Sequence, residues 1–175
     1  MNKSKELYVE FMSIYSHIEA VLNYVIGAFL TPTSEDKSFH LRSLVLNRAL
    51  HKPNIFLTVE SKIKFISLIE EYIHSSSVTY SLDYDLSAWK EVKKKLKEIQ
   101  EVRNKLAHEW LNFEAEEGLI SFYKGTTRKT ELLKYDMEEE VQKSKELRAL
   151  LERYHITALN SFRRLFNVIN EHGII

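Results

Sequence analysis

A chain of 175 residues has the length of one domain, and without cysteine it has no disulfide framework, thiol nucleophile or cysteine-ligated metal site. Its 25 Lys and Arg are balanced by 25 Asp and Glu, so any nucleic-acid binding must use a local patch instead of global positive charge. Four glycines and two prolines argue against collagen-like, linker-rich or turn-dense all-β designs, and no run of about 18 uncharged apolar residues predicts a membrane span.

The opening Met1-Asn2-Lys3-Ser4-Lys5-Glu6 is polar and leads into an amphipathic stretch, not into the apolar block of a signal peptide. Cytoplasmic localisation and a mostly helical fold are therefore expected. From about Ser4 to Leu30, Leu7, Phe11, Ile14, Ile18, Val21, Val25 and Phe29 recur at steps of three and four, the period of one helix face. Thr31-Pro32 ends that helix. Ser34 or Thr33 caps a second, which carries Leu41, Leu44, Val45 and Leu50 and stops at Lys52-Pro53. Thr58 begins a third, with Ile63, Ile66, Ile69 or Glu70, and Ile73 inward, closed by Ser75-Ser76-Ser77. Val78 to Tyr84 reads as a connector.

A fourth helix is predicted from Asp85 or Ser87 to about Ala107, with Trp89, Val92, Leu96, Ile99, Val102 and Leu106 inward. Glu91 with Lys95 and Glu101 with Lys105 form favourable i,i+4 pairs. The period then changes to two. Leu111, Phe113 and Ala115 alternate with polar residues, as do Ile120 and Phe122 beyond Glu116-Glu117-Gly118, which predicts a β-hairpin. Thr130 to Tyr135 adds a third strand. Asp136 followed by Glu139 predicts a capping box for a last helix striped by Met137, Val141, Leu147, Leu151, Tyr154, Ala158, Phe162, Leu165 and Ile169 and ending at Gly173. The expected fold is mostly all-α: one domain over residues 1–175, a helical bundle of about five helices with a small β-hairpin inserted at about 110–135, before the last helix.

Chemistry concentrates in Arg103-Asn104-Lys105-Leu106-Ala107-His108, at the end of the fourth helix. Five positions on a helix mean about 140° of rotation and about 7.5 Å of rise, so Arg103 and His108 do not share a face within one chain. A twofold contact between two such helices would let them converge across the axis. The pair suits RNA. A histidine titrates near neutral pH and exchanges protons with the 2′-hydroxyl or the leaving 5′-oxygen. A guanidinium grips phosphate and stabilises the extra charge of a pentacoordinate transition state. This reaction needs no metal or cofactor. The plain alternative is a surface arginine and a histidine that serves the helix C-terminus.

RNKLAH at 103–108 resembles the R-x4-H signature of HEPN domains (higher eukaryotes and prokaryotes nucleotide-binding), including the polar residue after the arginine. The resemblance implies a helical homodimer joined through the motif-bearing helices and a metal-independent endoribonuclease that leaves a 2′,3′-cyclic phosphate. It also implies a setting in toxin–antitoxin pairs or phage defence, with an antitoxin protein as a further partner. By the same resemblance Arg103 and His108 are catalytic and Asn104 orients them or touches phosphate. Members paired with a nucleotidyltransferase antitoxin often carry a tyrosine two residues after the histidine, where this chain has Trp110. The alternative is a non-catalytic HEPN-like module for RNA binding or protein interaction.

Upstream, Lys90, Lys94 and Lys97 fall on one helix face, and with Lys105 they are the candidate RNA-binding residues. From 90 to 108 seven basic residues stand against three acids, a local net charge of +4. Such a stripe can steer a phosphate backbone toward the motif, although a solvated helix face is the commoner use. None of the other six histidines has metal-site spacing. Trp110, Phe113 and Phe122 suit packing of the hairpin better than base stacking.

Overall fold

The computed structural model describes residues 3–30, 58–79, 87–108, 111–113, 118–126 and 129–172. Within these the fold is mostly helical, with a small antiparallel sheet placed before the last helix, as the change of period predicts. The helices are α1 (Lys3–Leu30), α2 (Val59–Thr79), α3 (Ser87–His108) and α4 (Met137–His172). The strands are β1 (Leu111–Asn112), β2 (Leu119–Thr126) and β3 (Lys129–Asp136), in the order β1-β2-β3. The helix predicted between Ser34 and Lys52 lies outside the described residues, as do Tyr80 to Tyr84 of the predicted connector.

Local signals explain most boundaries. Thr58 caps α2 by accepting the Ser61 amide on Oγ1 at 3.1 Å. The run Ser75-Ser76-Ser77 does not close α2, which continues to Thr79. Ser75 Oγ donates to the Glu71 carbonyl at 2.9 Å, so its hydroxyl is satisfied on the helix itself instead of competing for the backbone. Asp136 caps α4 through the amides of Glu138 and Glu139, at 3.0 and 3.3 Å. The return arm of the predicted capping box is directed elsewhere: the Glu139 carboxylate pairs with Lys143 at 2.8 Å.

The chain divides into two compact units, Met1–Ile18 with Lys94–Leu150, and Glu19–Lys93 with Leu151–Ile175. In the first, Phe11, Ile14, Tyr15 and Ile18 of α1, Leu96, Ile99, Val102 and Leu106 of α3, Ile120 of β2, and Met137, Val141 and Leu147 of α4 are buried. The sheet belongs to this unit. Leu111 pairs with Phe122, and β2 runs against β3 from Leu119↔Asp136 to Thr126↔Lys129. Gly118 anchors it with φ +88°, a left-handed conformation that glycine adopts without steric cost. Its amide donates to Ser4 Oγ at 3.1 Å, and its carbonyl accepts the Met137 amide at 3.0 Å, joining the starts of α1, β2 and α4.

In the second unit, Val21, Leu22, Val25 and Phe29 of α1, Ile63, Phe65, Ile66 and Ile69 of α2, Trp89 and Val92 of α3, and Leu151, Tyr154, Phe162 and Leu165 of α4 are buried. Phe29 meets Phe162 edge to face at 5.3 Å. Trp89 lies 5.1 Å from the Tyr154 ring and donates its indole N–H to Ser67 Oγ at 3.0 Å. Glu70 is buried among these groups and accepts the Tyr154 hydroxyl.

Candidate nucleic-acid site on the third helix

The buried stripe of α3 fixes its rotation and so decides where each polar residue points. At about 100° per residue, Lys90, Lys94, Lys97, Asn104 and His108 fall within about 80° of arc on the opposite face, and all five are exposed. Glu101 shares that face and is also exposed. Apart from Lys90, these residues belong to the unit that contains the sheet. His108 is the last residue of α3.

Arg103 does not share that face. It is half-buried on the inner side of α3, with its guanidinium carbon 5.5 Å from the centre of the Tyr15 ring of α1. Its Nε is buried and finds no hydrogen-bond partner among the described residues. The tip reaches outward, where Nη1 donates to Asn104 Oδ1 at 3.3 Å. The structure thus brings Arg103 and Asn104 into contact, places Asn104 one turn before His108, and leaves Arg103 and His108 on different sides of one chain's helix. Tyr15 was not among the sequence candidates. The signal was present, since it lies four residues after Phe11 and three before Ile18 on the same apolar stripe.

The lysines divide into two groups. Lys105 donates to Tyr135 Oη of β3 at 2.9 Å, with its ammonium 5.6 Å from that ring. The hydrogen bond to Tyr135 holds the Lys105 ammonium above its ordinary range, against a smaller opposing effect of burial. Lys95 reaches Glu146 of α4 at 3.7 Å. The two lysines that the sequence pairs with Glu91 and Glu101 thus reach other elements. Lys90, Lys94 and Lys97 remain as the exposed basic row on the His108 face.

Of the aromatic candidates, Phe113 packs edge to face on Tyr8 at 5.7 Å and lies under the Lys5 ammonium at 5.8 Å, a packing role. Trp110 lies outside the described residues, as does the side chain of Phe122. His155 stacks on Tyr24 at 6.4 Å, and His17 and His74 are exposed. Among the described residues, no group of three His, Asp or Glu side chains is placed to hold a metal ion. Among them, too, no helix is long and apolar enough to cross a membrane. An open groove of about 610 Å³ runs between α1 and α4, lined by Glu6, Val9, Glu10, Ser13, Ile14, Lys145 and Arg148. Lys145 and Glu10 pair across it at 2.7 Å, so its charges are already partly matched. No protein-family model, curated protein or solved structure matches the chain.

Proposed function

We propose that the chain is a metal-independent endoribonuclease of HEPN type, toxin- or defence-like, acting as a homodimer with a composite site of Arg103 and His108 from both subunits. The observation that carries this reading is the Arg103–Asn104 hydrogen bond, which directs a guanidinium from the inner side of α3 toward the exposed face that carries His108. A fixed cation and an exposed imidazole, on a helix face that carries Lys94 and Lys97 about three to four turns upstream, are the groups that RNA transesterification needs.

In this mechanism one His108 accepts the proton of a ribose 2′-hydroxyl. The 2′-oxygen attacks the adjacent phosphorus, an O2′–P bond forms and the P–O5′ bond breaks. The partner's His108 protonates the departing 5′-oxygen, giving a 2′,3′-cyclic phosphate and a 5′-hydroxyl. Arg103 binds the nonbridging oxygens, where charge grows in the transition state. Asn104 orients Arg103, and Lys90, Lys94 and Lys97 attract the backbone. RNA and a second copy of the chain are the partners, with an antitoxin protein as a further one.

The test is incubation of purified protein with single-stranded and structured RNA in excess EDTA, followed by analysis of the 3′ ends. Cyclic phosphate that vanishes in both His108→Ala and Arg103→Ala supports the enzyme. Cleavage that survives both changes, or that requires Mg²⁺, removes it. A non-catalytic RNA-binding or interaction module is the second reading, favoured by the half-burial of Arg103 against Tyr15. It predicts RNA binding without any new 3′ ends.

A further inference from the structure

We infer that Tyr15 is a positioning residue for Arg103, holding the guanidinium in place without neutralising it; the inference rests on the ribonuclease reading above. The usual way to fix an arginine is a carboxylate, which also cancels its charge. Among the described residues, no carboxylate forms an ion pair with Arg103. Among the described residues it meets the face of the Tyr15 ring at 5.5 Å and donates to the side-chain oxygen of Asn104 at 3.3 Å. Both are uncharged.

Each contact restrains a different motion. The ring attracts the cation through its quadrupole and holds the guanidinium carbon over its face, while the amide oxygen holds Nη1 at the tip. Tyr15 is only 4% exposed, so the face on which Arg103 rests is held by the core of α1 and is not free to follow the side chain. Burial of Nε removes water as a competitor along the inner part of the side chain. Among the described residues, the result is a cation held by uncharged groups in a defined direction, which is what a transition-state clamp requires. Lys95 shows the contrast, because its ammonium faces the Glu146 carboxylate.

The experiment combines a resonance with a rate, on the full chain. The Arg103 ¹Hε–¹⁵Nε signal is assigned by its loss in Arg103→Lys, then recorded in Tyr15→Phe, Tyr15→Leu and Tyr15→Met. The expected signal is shifted by the ring current in wild type and Tyr15→Phe, and returns to the range of free arginine in the Leu and Met variants. Cleavage by Tyr15→Phe should stay within about twofold of wild type, whereas Leu and Met lower kcat about 10- to 100-fold with little change in KM, as misplacement of a reacting group does. Circular dichroism identifies any variant that does not fold, and the two apolar replacements guard against losing one. An Arg103 signal unmoved by loss of the ring, or an unchanged kcat in a folded Leu or Met variant, overturns the inference. A wild-type chain that leaves RNA intact overturns the ribonuclease reading instead. The Arg103 signal needs no RNA and still decides whether Tyr15 holds the guanidinium.

Discussion

Lys105 donates a hydrogen bond to the Tyr135 hydroxyl at 2.9 Å, and this contact ties the last turn of the motif helix to the third strand of the inserted sheet. Two consequences follow from its chemistry. The sheet braces the helix end that presents His108, and one of the basic residues that the sequence assigns to RNA is engaged within the fold.

The Lys105 contact has a pH signature. The hydrogen bond to Tyr135 raises the lysine's folded-state pKa above its unfolded value of 10.5. Its stabilising effect is therefore fully present below pH 10.5 and is lost as pH rises through the folded value. Tyr135→Phe should cost about 0.5–1 kcal/mol in urea unfolding at pH 8, discounted from a buried charged bond because the lysine is half-exposed. The difference from wild type should shrink above the lysine's ordinary pKa. A cost that stays constant across that range would assign it to packing of the ring.

Tyr154→Phe tests the buried pair in the second unit. The Tyr154 hydroxyl donates to a Glu70 carboxylate that is 1% exposed, so its removal leaves a buried acceptor with one donor fewer. The expected loss is about 1–3 kcal/mol, read as a lower urea midpoint at unchanged m-value. Glu70→Leu combined with Tyr154→Phe should cost less than the sum of the two single changes, because the double variant removes donor and acceptor together. Additive costs would show that the two groups do not depend on one another.

Gly118 carries the turn that joins three elements. A Cβ there would lie 4.0 Å from the Leu7 Cδ1 atom, so there is room for it, and the cost of Gly118→Ala comes from the backbone. At φ +88° that cost is about 1–2 kcal/mol, with Gly118→Asn cheaper because asparagine tolerates left-handed conformations. Thermal unfolding of the two variants should rank them in that order. Equal melting temperatures for alanine and glycine would place the strain elsewhere.

These contacts mark how far the sequence could be read. Apolar spacing located α1, α3 and α4 because each has a stripe that must be buried, and Trp89, Val92, Leu96, Ile99, Val102 and Leu106 are all inside. Gly118 and Asp136 were legible because few residues suit a left-handed turn or an N-cap. The serine run misled, since Ser75 returns its hydroxyl to Glu71 and lets α2 continue. Periodicity assigned Arg103 and His108 to different sides of the helix, but it does not carry the identity of a neighbour on another element. Tyr15 beneath Arg103 and Tyr135 beside Lys105 join residues 88 and 30 positions apart in the chain, and only folding brings them together.

The strongest prediction separates stability from activity at the motif and tests the composite site directly. His108 is exposed at the end of its helix, so His108→Ala should shift folding stability by no more than about 0.5 kcal/mol. Arg103→Ala removes a contact with a buried ring and a hydrogen bond, and should cost about 1–2 kcal/mol. Stability therefore ranks the two changes unequally, whereas the proposed mechanism needs both groups and predicts loss of cleavage in each. Concentration adds an independent measure. One chain holds Arg103 and His108 on different sides of α3, so cleavage by a composite site must depend on a second copy. Specific activity should fall on dilution from micromolar to nanomolar protein, in step with the dimer fraction measured by light scattering or sedimentation. Activity per chain that stays constant while the protein is monomeric would remove the composite site, because one helix then supplies everything the reaction needs.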